Sequence, residues 1–229
     1  AWRVQMMGLK INSNGENSPD ANVRASAIIE AINYAVSNDA DIIVMEDLLG
    51  DNHSSWPGLL QYPSQSLGLV TREAIEYAKR AGVLIVSTGR QFMRADQTSY
   101  PSGFAARNVI AVSNPISYEH ASEPQLAMLA ISTDITAPGN NILTTSPDPE
   151  QPYEMASGLA TGLVAGAAAL IMAENPRITP SEVRQQLLLN RRSDSRLNTA
   201  QTTNGWLNVY DAMRLPGQKR YQEFQTTIN

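Results

Sequence analysis

Apolar residues recur along this chain in two alternating rhythms. From Pro19-Asp20-Ala21 onward, Val23, Ala27, Ile28, Ile32, Ala35 and Val36 return at three- and four-residue intervals, the period of a helix with one buried face, and Ser18 stands where a cap belongs. Asp41 to Met45 is a short run rich in isoleucine and valine, as in a strand buried inside a parallel sheet. The helical rhythm returns from Thr71 to Ala81 and stops at Gly82, a residue suited to the left-handed turn that ends helices. Val83 to Ser87 reads as the next strand, Val4 to Leu9 as a short first one, and Gly50 to Gln65 as a loop containing Pro57 and Pro63. Strand and helix therefore alternate, which predicts crossover connections and a parallel sheet with helices on its faces.

A long uncharged stretch, Met155 to Ala173, carries Gly158, Gly162 and Gly166 at four-residue spacing. That pattern also occurs in membrane helices. Here alanine and glycine dilute its hydropathy, and Glu150, Pro152 and Glu154 lie just before it. The expectation is a helix of about 158 to 173 buried on all sides of a soluble core, with the glycines in close backbone contacts. Pro176 stops it, and Thr179-Pro180-Ser181-Glu182 starts another with Pro180 at the first helical position and Val183, Leu187 and Leu188 on one face.

Length and charge narrow the class. At 229 residues and 42% hydrophobic, the chain can bury one sizeable α/β core; residues 1–215 are assigned to it and the polar stretch 216–229 to a C-terminal tail. The net charge of −5 and the lack of a basic patch exclude a nucleic-acid surface. There is no cysteine, so disulfides play no part and thiols give no clue to the redox compartment. Ala1-Trp2-Arg3 opens no signal peptide, as expected of a processed or truncated start. No cofactor and no membrane span are implied.

The candidate chemistry centres on Ala156-Ser157-Gly158-Leu159-Ala160-Thr161-Gly162-Leu163-Val164-Ala165-Gly166. This stretch resembles the nucleophile segment of subtilisin-like serine proteases, Gly-Thr-Ser-Met-Ala-x-Pro-x-Val-Ala-Gly. Further blocks resemble the same family in order. They are Asp41 to Met45, Val83 to Arg90, Tyr100-Pro101-Ser102 with Asn108 to Val112, Ile135 to Ile142, and Gly205 to Ala212. The resemblance implies a three-layer α/β fold with a mostly parallel sheet flanked by helices, serine endopeptidase ancestry and an extracytoplasmic, secreted setting.

The match fails where the chemistry would be. The position of the nucleophilic serine is Gly158, and that of the oxyanion-hole asparagine is Arg90; such a protease works through a positioned hydroxyl and an amide donor. His53 and His120 stand in no His-Gly-Thr context. The strands that carry the family's aspartate and histidine are expected upstream of the visible chain. Ser157, one residue early, would be turned by about 100° around the helix axis, and N-capping is the better role for it.

The resemblance places a peptide-binding edge at Glu46, Asp47 and Leu48, with Thr88 and Gly89 on the neighbouring strand end. Glu46 and Asp47 are either ordinary surface carboxylates or face Arg90 across the former site. The resulting expectation is a catalytically inactive pseudoprotease, a scaffold or regulator that binds a polypeptide partner, including one that supplies the missing N-terminal strands. Two alternatives stay open. One is an active endopeptidase whose aspartate and histidine come from another chain; the other is a purely structural subunit of a larger assembly.

Overall fold

The computed structural model describes residues 3–11, 21–45, 49–50, 64–89, 99–104, 106–113, 133–139, 142–143, 153–154, 157–194, 197 and 205–214. Along the chain run α1 (Ala21–Ser37), β1 (Ile42–Met45), β2 (Leu49–Gly50), α2 (Ser64–Arg80), β3 (Leu84–Thr88), β4 (Ser99–Tyr100), β5 (Val109–Ser113), β6 (Ile135–Thr136), β7 (Ile142–Leu143) and β8 (Tyr153–Glu154). Then follow α3 (Ser157–Glu174), α4 (Pro180–Leu189), β9 (Arg192–Ser193), β10 (Gly205–Trp206) and α5 (Val209–Ala212).

Six strands form the main sheet in the order β1-β3-β5-β6-β10-β9. All pairings are parallel except β10 with β9. Side chains alternate across this sheet and feed two cores. Leu84, Val86, Ile110 and Val112 join Ala160, Val164, Ala168 and Ile171 of α3 and Val183 and Leu187 of α4. On the opposite face Val83, Ile85 and Val109 meet Ile28 and Ile32 of α1 and Ala74, Ile75 and Ala78 of α2. Every residue of β3 and β5 is buried, which is why both read as unbroken apolar runs rather than alternating ones. The result is a three-layer α/β fold with a mostly parallel sheet.

Local signals set the helix ends. Gly82 has φ +80° and its neighbour Val83 donates its N–H to the Ala78 carbonyl at 2.9 Å, the closing bond expected at a glycine-ended helix. Asp39 plays the same part after α1 with φ 56°. Thr179 and Glu182 form a complete capping box ahead of α4, with Pro180 in the first turn, as the sequence order predicts.

Three expectations are corrected. Residues 4–9 form no strand: Val4, Met6, Met7 and Leu9 are exposed, and among the described residues no strand pairs with them. The helix expected from Thr71 begins at Ser64. Gly68 hides its first turns from the periodicity, because a glycine inside a helix costs about 1 kcal/mol and reads as a break. The third concerns α3. It is buried along Ala160, Thr161, Val164, Ala167, Ala168 and Ile171, yet Gly162 is exposed, and a Cβ added at Gly162 or Gly166 would meet nothing within 4 Å. The helix is therefore open on one side instead of enclosed, and among the described residues no close backbone contact explains these two glycines. No described helix is long and apolar enough to cross a membrane.

Candidate functional site

Parallel α/β sheets gather function at the carboxyl ends of their strands, and there β3 ends in Ser87 and Thr88, followed by Gly89. Thr88 is buried, and its Oγ1 lies 3.0 Å from Oγ1 of Thr161 near the start of α3. That bond ties the strand leading to position 90 to the helix turn that begins with Ser157 and Gly158. Gly158 thus stands in the first turn of α3, where the sequence places the vestigial nucleophile.

Gly89 extends the ladder by donating its N–H to the Val112 carbonyl at 2.6 Å. A Cβ at this position would lie 3.2 Å from both Thr133 Oγ1 and the Val112 carbonyl oxygen, so a side chain here would crowd the strand end. Thr133 is itself buried, and its hydroxyl makes no hydrogen bond. The next rows are also hydroxyl-lined: Ser113 Oγ and Thr136 Oγ1 lie 3.2 Å apart across β5 and β6. Sequence periodicity does not single out Thr133, Thr136 or Thr161, because small hydroxyl residues in apolar runs read as filler.

Behind this row sits a charged knot. Asp134 accepts from the Ala111 N–H at 3.0 Å and from Arg184 at 2.5 Å. Arg184 also donates to the Val109 carbonyl, and Arg191 donates to the Asp134 carbonyl. Burial pushes the Asp134 carboxyl above its ordinary range, while Arg184, the Ala111 amide and Arg191 pull it back. Burial lowers the Arg191 guanidinium, against the attraction of Asp134. These contacts pin α4 to β5 and to the entrance of β6. They hold the scaffold.

The peptide-binding expectation divides. Thr88 and Gly89 lie together at the end of β3, beside the α3 turn of Gly158. Glu46, Asp47, Leu48 and Arg90 lie outside the described residues, as do His53, His120 and the stretch 216–229. Just beyond position 48, Leu49 and Gly50 pair antiparallel with Tyr100 and Ser99. Among the described residues no group of three or more histidine, cysteine, aspartate or glutamate side chains could hold a metal ion.

Comparison with known proteins agrees with this arrangement. The model of the subtilase family matches residues 1–210. The chain is 33% identical over 170 residues to the major intracellular serine protease of Bacillus subtilis (strain 168), covering 70% of this chain and 47% of that protein. It is 27% identical over 191 residues to subtilisin DY of Bacillus licheniformis, covering 82% of this chain and 61% of that one. It thus spans about half to three-fifths of these curated relatives. Among solved structures, MycP1 with its N-terminal propeptide removed superposes with a TM-score of 0.63 at 16% identity, over 85% of this chain and 68% of that one. The prenylagaramide maturation protease PagA gives 0.62 at 20% identity, over 87% and 70%. A mostly parallel sheet flanked by helices, and a family match across residues 1–210, lead to one assignment: the chain belongs to the subtilase family.

Proposed function

We propose that this chain is a catalytically inactive subtilase, a scaffold or regulator that binds a polypeptide at the end of β3. The observation that carries the reading is Gly158 in the first turn of α3, a residue with no side-chain nucleophile where the family motif has serine. Arg90 in place of the amide donor supports it. In a subtilisin, loss of the serine lowers turnover by about 10⁶, a magnitude that belongs to that enzyme. The family resemblance puts the polypeptide beside Thr88 and Gly89, which are buried at the end of β3 next to the first turns of α3.

The second reading, an endopeptidase completed by another chain's aspartate and histidine, draws on the half of its relatives' length that this chain does not span. It still lacks a hydroxyl at position 158. An extracytoplasmic location is proposed from the family alone, and one relative is by name intracellular. The test of inactivity is a fluorophosphonate serine probe together with a peptide-hydrolysis assay on the purified chain. No labelling and no turnover are expected; stoichiometric labelling at Ser157 would overturn the reading.

A further inference from the structure

On the sheet face that looks away from α3, the chemistry changes toward the carboxyl ends of the strands. Val83, Ile85 and Val109 belong to the α1–α2 core on that face. By strand alternation Ser87, Gly89 and Ser113 follow on the same side, and Ser113 meets Thr136 there at 3.2 Å. Ser87, Ser113, Thr133 and Thr136 are all buried. Apolar packing thus gives way to a patch of hydroxyls beside the end of β3.

Two of these hydroxyls are poorly served. Ser113 and Thr136 bond each other, but Oγ of Ser87 reaches only the Thr88 carbonyl, at 3.4 Å, beyond the ordinary length of an O–H···O bond. Thr133 is 5% exposed, and its Oγ1 makes no hydrogen bond among the described residues. Burying a hydroxyl without a partner forfeits the bond that water gave it, so such a group in a folded chain asks for a cause. Its place supplies one. Thr133 Oγ1 and the Val112 carbonyl oxygen each lie 3.2 Å from the point where a Cβ on Gly89 would stand. The Val112 carbonyl accepts the Gly89 N–H and keeps a second lone pair.

We infer that Thr133 selects the polypeptide bound at the end of β3, by hydrogen-bonding a neutral hydroxyl or carboxamide side chain of that partner beside Gly89. The inference rests on the polypeptide-binding reading above and adds the chemistry of the residue recognised. A serine, threonine, asparagine or glutamine head group both donates and accepts, which suits a hydroxyl and a carbonyl side by side. An apolar side chain would leave Thr133 orphaned. The described groups around it, Ser87, Val112 and Thr133 itself, carry no charge to offset a carboxylate or an ammonium.

The test immobilises the parent chain, Thr133→Val and Thr133→Ser, and passes a positional-scanning library of capped tetrapeptides over each. At one peptide position the parent should retain Ser, Thr, Asn or Gln over Ala, Val or Leu by about tenfold, the size of one hydrogen bond. Thr133→Val should lose that preference and Thr133→Ser should keep it. The thermal midpoint of free Thr133→Val should be no lower than the parent's, because the hydroxyl has no partner to lose there. A lowered midpoint would place the hydroxyl in a bond within the free chain, to a buried water or to the chain itself, and overturns the proposal. Peptide binding without the preference, with the preference kept in Thr133→Val, or with a preference for Asp or Glu overturns it too, while leaving the polypeptide reading standing. Retention of no peptide ends both.

Discussion

Oγ1 of Thr88 and Oγ1 of Thr161 share a buried hydrogen bond of 3.0 Å, seventy-three residues apart in sequence. This bond fixes the angle at which the glycine-bearing turn of α3 faces the end of β3. Thr161→Val keeps the shape and leaves the Thr88 hydroxyl buried without this partner. A loss of about 1–3 kcal/mol is expected, measured by urea unfolding. Adding Thr88→Val should recover part of it, since removing both partners is milder than orphaning one. A double variant less stable than either single one would show that the bond is incidental.

Two glycines should respond oppositely to alanine. At Gly205 a Cβ would lie 2.8 Å from the Arg192 carbonyl oxygen and 2.9 Å from Arg191 Cβ, so Gly205→Ala must displace the β9–β10 pairing and is expected to destabilise by about 1–3 kcal/mol. At Gly162 nothing lies within 4 Å, and Gly162→Ala should stabilise the isolated chain by up to about 1 kcal/mol through helix propensity. Thermal melts of the two variants against the parent decide both.

The capping box of α4 makes a prediction with a definite sign. Hydrogen bonds from the Thr179 side chain and backbone N–H lower the Glu182 carboxyl below its ordinary 4.5. A depressed carboxylate adds stability at pH above its unfolded value, and that stability is lost as pH falls through the folded one. The parent should therefore lose the capping contribution on acidification from about 4.5 downward, while Glu182→Gln shows no such component. Parallel melts of parent and variant between neutral and strongly acidic pH test this, and identical pH profiles would refute it.

Restoring the two family residues should not restore the enzyme. Gly158→Ser with Arg90→Asn is expected to give no turnover in this chain alone, because a serine hydroxyl without a general base is a weak nucleophile. Hydrolysis of a chromogenic peptide by the double variant would reveal a base within the chain.

Two strands of the sheet, β1 and β3, were legible in the sequence as apolar runs between turn residues, and β5 through the family resemblance of Asn108 to Val112; the two-residue strands β6, β9 and β10 are too short to show a pattern of their own. Gly82 and the Thr179–Glu182 box were legible for a stereochemical reason: few residues fit those turns. Gly158, Thr88 and Gly89, picked out by the family motif, lie near one another, Gly158 in the first turn of α3 and the other two at the end of β3. What stayed hidden were relationships between distant residues. Neither the Thr88–Thr161 bond nor the Asp134–Arg184 knot has a local pattern, and the openness of α3 depends on what faces it. An alanine- and glycine-rich helix looks the same in sequence whether it is enclosed or bare.

The strand order bears on how the chain finds its fold. β1, β3 and β5 are successive neighbours in the sheet, close in sequence, so their contacts close modest loops. Trp206, however, must return across seventy residues to pair with Thr136, and between them lie α3 and α4, both docked on strands laid down earlier. Loop closure grows dearer with length only logarithmically, but pairings of high contact order form slowly. The β1–β3–β5 half can assemble first, and the seam between β6 and β10 is the natural last step of folding.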